Sequence, residues 1–301
     1  MLQFQPPGFG QRVLATTQGA IAYYTPVGAP WRSPSEPEVE LPTLLFLHSL
    51  GGGSSAFEWS KVYPAFAPDY RVIAPDLIGW GQSTHPPKDY RVEDYLTQLT
   101  ELLEHLAPNP ATVFASSLMG AIAIRLAIQR PDLVQQLILV CPSGYNDFNA
   151  SYAGGIAAQL ARVPGLDRLI YAAGAANEVA VRNFLETFLF AERSRVTEEI
   201  VAAYLTSAEQ PNAEYAALSS LRGDLCFDLA LYIGQLQVPT VFLWGEQARF
   251  TSSELGRRLK ALCPPAIAAF YEIPNAGVLP HLECPEIVIG LVRRHLPVSR
   301  P

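Results

Sequence analysis

The chain opens on an alternation of polar and apolar positions that predicts two short strands, near residues 12–17 and 20–25, turned at Gln18 and Gly19. A loop over residues 28–42, rich in Pro, Glu and Ser, follows and is expected to be exposed. The pattern then changes. Residues 43–47, 70–74, 112–115 and 137–140 form short apolar runs without alternation. A strand apolar at successive positions must be covered on both faces, as in a parallel sheet flanked by helices. Helical spacing fills the gaps, around residues 56–66, 92–106 and 119–129. This rhythm predicts an α/β protein with a mostly parallel, doubly wound sheet.

The rhythm stops near Ser143. To about Leu236 the chain is alanine-rich and helical, with apolar residues at helical spacing in Val181, Phe184, Leu185, Phe188 and Leu189. Strand character resumes over 238–244 and 268–273, and a last helix is expected over 284–295. The predicted organisation is a core of residues 1–142 and 237–301, split by a helical cap at 143–236. The cap would lie above the strand ends, where such sheets bind ligands. No internal repeat or low-complexity segment interrupts this reading.

Composition narrows the function. At 301 residues, 49% hydrophobic and 16% charged, the chain can bury a sizeable core. Lys and Arg total 21 against 28 Asp and Glu, a net charge of −7, and no basic run appears. Nucleic acid is therefore not an expected partner. Cys141, Cys226, Cys263 and Cys284 are scattered without zinc spacing, so neither a metal nor another cofactor is expected. Scattered cysteines, and an N-terminus without a signal-peptide pattern, point to the cytoplasm. No apolar run is long enough to span a bilayer.

The segment Ala115-Ser116-Ser117-Leu118-Met119-Gly120 lies between a predicted strand and a predicted helix. That is the context of a nucleophile elbow, in which a strained turn lifts a hydroxyl clear of the sheet. Such a turn needs small residues two positions either side. Ala115 satisfies this for Ser117 and Met119 does not; the register with Ser116 would place Phe114 and Leu118 there, which is worse. The competing reading is a serine that caps a helix.

Several segments together resemble the α/β-hydrolase superfamily, in the branch of meta-cleavage-product hydrolases, haloperoxidase-like esterases and epoxide hydrolases. His48-Ser49-Leu50-Gly51-Gly52 resembles the oxyanion loop, with Ser49 in place of the usual glycine. Asp76-Leu77-Ile78-Gly79-Trp80-Gly81-Gln82-Ser83 resembles the Asp-x-x-Gly-x-Gly-x-Ser loop. Residues 238–246 resemble the strand leading to the catalytic acid, and 273–283 the histidine loop. The resemblance implies an α/β-hydrolase fold, Ser117 as nucleophile, and an oxyanion hole made by the N–H groups of Leu50 and Leu118. It also implies an acid at position 248 and a histidine at 278. The chain has Ala248 and Val278 there.

A serine hydroxyl is a poor nucleophile unless a base removes its proton. Losing the base from such triads removes about six orders of magnitude in turnover. Of the five histidines, His48 belongs to the oxyanion loop, and His85, His105 and His295 read as surface residues. Two readings from different classes follow. One is a non-hydrolytic pseudoenzyme that binds a small apolar ligand or a protein partner. The other is an esterase-like serine hydrolase with a relocated base, His281, and acid, Asp147. Whether the chain is an enzyme, and its oligomeric state, stay open at this stage. Tyr152, Tyr171, Phe184, Phe188, Phe190, Tyr204 and Tyr215 either line an apolar site or pack the helical segment onto itself.

Overall fold

A computed structural model describes residues 4–32, 41–150, 152, 155–163 and 166–296. The opening alternation forms β1 (Phe9–Thr16) and β2 (Gly19–Pro26), an antiparallel pair. The apolar runs form β3 (Thr43–Leu47), β4 (Arg71–Pro75), β5 (Ala111–Ser116) and β6 (Val134–Val140). After the helical segment come β7 (Thr240–Gly245) and β8 (Ile267–Ile273). One eight-stranded sheet results, ordered β1-β2-β4-β3-β5-β6-β7-β8, parallel from β4 to β8. β3, β5 and β7 are buried at every residue, as their unbroken apolar character requires.

Helix α1 (Val92–Leu106) covers the sheet with Val92, Tyr95, Leu96, Leu99, Leu102, Leu103 and Leu106, all buried and spaced three or four apart. Asp94 caps its start by accepting the Arg91 N–H at 2.8 Å. α2 (Ser117–Gln129) follows β5 without a linker. The helical segment comprises α3 (Gly155–Leu160), α4 (Leu166–Gly174), α5 (Glu178–Phe184), α6 (Glu198–Ala208) and α7 (Ala213–Arg222), with a π-turn at Leu185–Leu189. α8 (Ser253–Leu262), the short α9 (Pro280–Glu283) and α10 (Pro285–Val292) complete the chain. Among the described residues no helix is long and apolar enough to cross a membrane.

One expectation needs correction. The helix expected over 56–66 is a pair of 3-10 turns, Ala56–Trp59 and Tyr63–Phe66. Pro64 lacks the N–H that a continuous helix would use, and Asp76 takes the Ala56 N–H at 2.7 Å. Of the loop at 28–42, residues 33–40 lie outside the described residues, while 28–32 are half-buried or exposed.

The loop after β4 is organised by its aspartate. Asp76, fully buried, accepts from the N–H groups of Ala56 and Gln82 at 2.7 and 2.8 Å and from the Tyr24 hydroxyl at 3.2 Å. Burial raises its carboxyl to about 6. Gly81 has φ +53°, and a Cβ there would lie 2.2 Å from the Asp76 carboxyl carbon, so only glycine fits.

Candidate functional site

At the end of β5 the chain turns sharply into α2. Ser117 occupies the turn with φ 55°, a left-handed conformation costly for any residue with a Cβ. Its neighbour Ser116 is fully buried, so Ser117 is the serine presented to the cavity above the sheet. Met119, which the sequence placed awkwardly, is accommodated with full burial in the core. The N–H of Leu118 belongs to the first turn of α2, where backbone donors lack helical acceptors.

The loop over residues 48–52 is held by His48. Its Nδ1–H donates to the Ser49 carbonyl at 2.6 Å, and its Nε2 accepts the Leu77 N–H at 3.0 Å. Burial lowers this imidazole to about 4, so it is neutral and structural. Leu50 therefore sits on a fixed loop, and both Leu50 and Leu118 line the same cavity as Ser117. Ser49, the substitution for glycine, donates from its N–H and its hydroxyl to Glu58 at 2.7 and 2.8 Å. Tyr204 of α6 donates to the same carboxyl group at 3.0 Å. Glu58, raised by complete burial, thus bolts the oxyanion loop to the helical segment. Its position in the sequence resembled one more turn of helix, and its role went unread.

The partner of Ser117 is a tyrosine. Ser117 Oγ lies 2.7 Å from the Tyr145 hydroxyl. Tyr145 reaches it from a left-handed turn of its own (φ 63°) beyond β6. That turn is built by Asp147: its carboxyl accepts the Ser143 hydroxyl at 2.6 Å, the Gly144 N–H at 3.1 Å and the Leu229 N–H at 2.8 Å. The Ser143 hydroxyl in turn accepts the Tyr145 N–H at 3.0 Å. Burial raises the Tyr145 hydroxyl well above its usual range, so at neutral pH it stays protonated and cannot take a proton from Ser117. Only the small, polar run around Ser143 and Gly144 hinted at a tight turn here.

The two residues named for a relocated triad are both engaged elsewhere. Asp147 spends its oxygens on the Tyr145 turn. His281 is fully buried, stacked on Trp59 at 3.9 Å, with Nε2 4.0 Å from Glu58. Neither ring nitrogen has a hydrogen-bond partner among the described residues, and burial lowers the ring to about 3. It is a neutral core imidazole that does not touch Ser117. The other histidines also sit away from the serine. His105 is exposed; His85 and His295, expected at the surface, are half-buried, and His295 meets the Tyr271 hydroxyl at 2.8 Å.

Ala248 and Val278 lie on neighbouring loops. The Gln247 N–H donates to Ala276 O at 2.9 Å, joining the loops after β7 and β8. Val278, 2% exposed, belongs to a buried cluster with Leu185, Leu189 and Leu279, and Ala248 packs against it. The Val278 N–H donates to Leu189 O at 2.9 Å, and Glu283 fastens the loop through the Gly277 N–H at 2.7 Å and Arg195 at 3.2 Å.

Above these groups lies a cavity of about 540 Å³, a size typical of small-molecule sites. Its lining among the described residues includes no Asp, Glu, Lys, Arg or His. Of the aromatic residues singled out in the helical segment, Tyr152, Tyr171, Phe184 and Phe188 face it, while Phe190 and Tyr204 are buried in packing. Among the described residues no group of three or more His, Cys, Asp and Glu side chains could hold a metal ion.

Comparison with known proteins agrees with this architecture. YugF of Bacillus subtilis (strain 168), an uncharacterized hydrolase, is 27% identical over 277 residues, 91% of this chain and 93% of that one. The 2-hydroxy-6-oxo-6-phenylhexa-2,4-dienoate hydrolase of Burkholderia cepacia is 27% identical over 247 residues, 78% of this chain and 80% of that one. Among solved structures, Cfl2 of Burkholderia cenocepacia superposes with a TM-score of 0.76 at 18% identity, covering 97% of this chain and 98% of that one. The family model for the alpha/beta hydrolase fold matches residues 42–285, which takes in the His48–Gly52 loop, the strained serine turn and the loops that hold Ala248 and Val278. With its sheet order, its serine turn and that match in agreement, the chain belongs to the α/β-hydrolase fold family.

Proposed function

We propose that this protein binds a small apolar ligand in the cavity above Ser117 without hydrolysing it, with residues 143–236 serving as the cap. One observation carries the reading: the hydroxyl at the nucleophile turn meets a protonated tyrosine, Tyr145, at 2.7 Å, where catalysis needs a base. Ala248 and Val278 support it, since an acid has no role without an imidazole to orient. The uncharged lining of the cavity favours a small apolar molecule over a protein partner. The free cysteines fit a reducing, cytoplasmic setting.

A second reading, a working esterase using Ser117, draws on the strained serine, the oxyanion loop and the hydrolase names of the relatives. For it to act through His281, that ring would have to leave its stack on Trp59. Hydrolysis of p-nitrophenyl acetate and butyrate by the protein and by Ser117→Ala separates the two. Rates near the uncatalysed background, equal in both proteins, are expected. Turnover abolished by Ser117→Ala would overturn the non-hydrolytic reading.

A further inference from the structure

The cavity has one polar end and one aromatic wall, and the wall is continuous. The Tyr145 ring, whose hydroxyl meets Ser117, contacts Tyr152 edge-on at 6.2 Å and Phe250 at 6.4 Å. Phe250 stacks on Phe188 at 5.7 Å and 12°, and Phe188 meets Phe184 at 5.9 Å. These five rings, all lining the cavity, run from the serine turn to the surface, where Phe188 and Phe250 are 40% and 44% exposed. The π-turn Leu185–Leu189 carries Phe188; an extra residue in a helical turn re-aims a side chain, and such turns recur at functional sites. Exposed stacked rings are unfavourable in water and are relieved when an apolar partner covers them.

The polar end offers donors and no charge. Tyr145 and Ser117 supply hydroxyls, and Leu50 and Leu118 line the same cavity. Among the described residues lining the cavity there is no cation to neutralise a carboxylate and no anion to attract an ammonium group. A flat ring system fits the wall face-on or edge-on, and a single carbonyl oxygen at its tip would reach the donors.

We propose that the cavity selects uncharged, flat aromatic or conjugated molecules bearing one terminal carbonyl oxygen, with Tyr145 as the hydroxyl that recognises that oxygen. This rests on the ligand-binding reading above and names the ligand class. No covalent step is involved: the Tyr145 O–H turns from Ser117 to the ligand oxygen, and Ser117 remains free to accept or donate beside it.

The test uses the full chain and four probes: 2-acetonaphthone, 2-naphthoate, 2-ethylnaphthalene and 2-decanone, each scored by displacement of the neutral fluorophore N-phenyl-1-naphthylamine. The aromatic ketone is expected to bind best. The carboxylate and the aliphatic ketone should each be at least tenfold weaker, and the hydrocarbon about fivefold weaker for want of one hydrogen bond. Tyr145→Phe should weaken the ketone about fivefold and leave 2-ethylnaphthalene unchanged, while Phe250→Ala should weaken both 2-acetonaphthone and 2-ethylnaphthalene and spare 2-decanone. Tightest binding by 2-naphthoate or 2-decanone, or a Tyr145→Phe protein that binds the ketone as the parent does, would overturn the proposal. These outcomes are independent of hydrolysis. Ser117-dependent turnover of an ester would sink the non-hydrolytic reading while leaving the ligand preference standing, and a flat probe series without turnover would do the reverse.

Discussion

The two sides of the cavity floor have diverged in character. On the β3 and β5 side, the left-handed Ser117, Leu118 at the start of α2 and Leu50 line the cavity together. On the β7 and β8 side, Val278 is packed in a buried hydrophobic cluster with the partly buried Ala248 against it, and the two loops are cross-tied through Gln247 and Ala276. The second side offers Ala248 and Val278, neither of which can carry a proton. The difference teaches that a strained serine turn can stand in a cavity whose other side presents apolar side chains. Its strain, of order 1–3 kcal/mol, is held by the surrounding sheet either way.

The comparison can be pressed hardest at Asp147, the carboxylate that the sequence offered as a relocated acid. If it is instead the keystone of the Tyr145 turn, Asp147→Ala leaves the Ser143 hydroxyl and two buried N–H groups without their acceptor. A loss of roughly 3 kcal/mol in unfolding free energy is expected by urea titration. A loss confined to catalysis, with stability intact, would return Asp147 to the acid's role.

Restoring the second side tests whether its frame is still usable. A triple variant, Ala248→Asp with Val278→His and Tyr145→Phe, supplies the acid and base and frees the serine. Ser117-dependent hydrolysis of p-nitrophenyl acetate should rise about 100-fold over the parent, well short of a native triad. No gain in a protein that still folds would mean that the loops no longer aim at Ser117.

His281 sharpens the contrast through pH. Its folded value, about 3, is depressed below the ordinary 6.5 by burial alone. Between those limits the unfolded chain binds a proton that the fold excludes, so the stability is complete above about 6.5 and is lost as pH falls towards 3. From pH 7 to pH 5 the parent should lose roughly 2 kcal/mol more than His281→Phe, which keeps the stack on Trp59. Glu58, raised by burial, works in the opposite sense but is present in both proteins. Equal pH profiles would show that the ring is not held neutral. The smallest effect is expected for Tyr145→Phe alone, about 1 kcal/mol or less in stability, because only one hydroxyl contact is removed.

Much of the fold could be read along the chain because its signals are local. β3, β5 and β7 are uniformly buried and mostly apolar since helices cover both faces, and α1 falls on the residues its spacing marked. Ser117 stood out because an elbow joins a strand directly to a helix. The relations across the cavity were hidden for the opposite reason. Tyr145 lies 28 residues from Ser117, and only its left-handed turn aims it there. Glu58 sat in what read as a helix face, and its links to Ser49 and Tyr204 exist only once the helical segment is docked. His281 could be named as a candidate base, but its burial against Trp59 depends on packing that no spacing reveals.

Intact-protein mass spectrometry after incubation with a fluorophosphonate probe at pH 7.5 addresses the absence of a proton acceptor at Ser117 most directly. The account predicts no adduct at this residue over hours at millimolar probe, in the parent and in Ser117→Ala alike. Rapid, stoichiometric labelling that maps to Ser117 and vanishes in Ser117→Ala would contradict it.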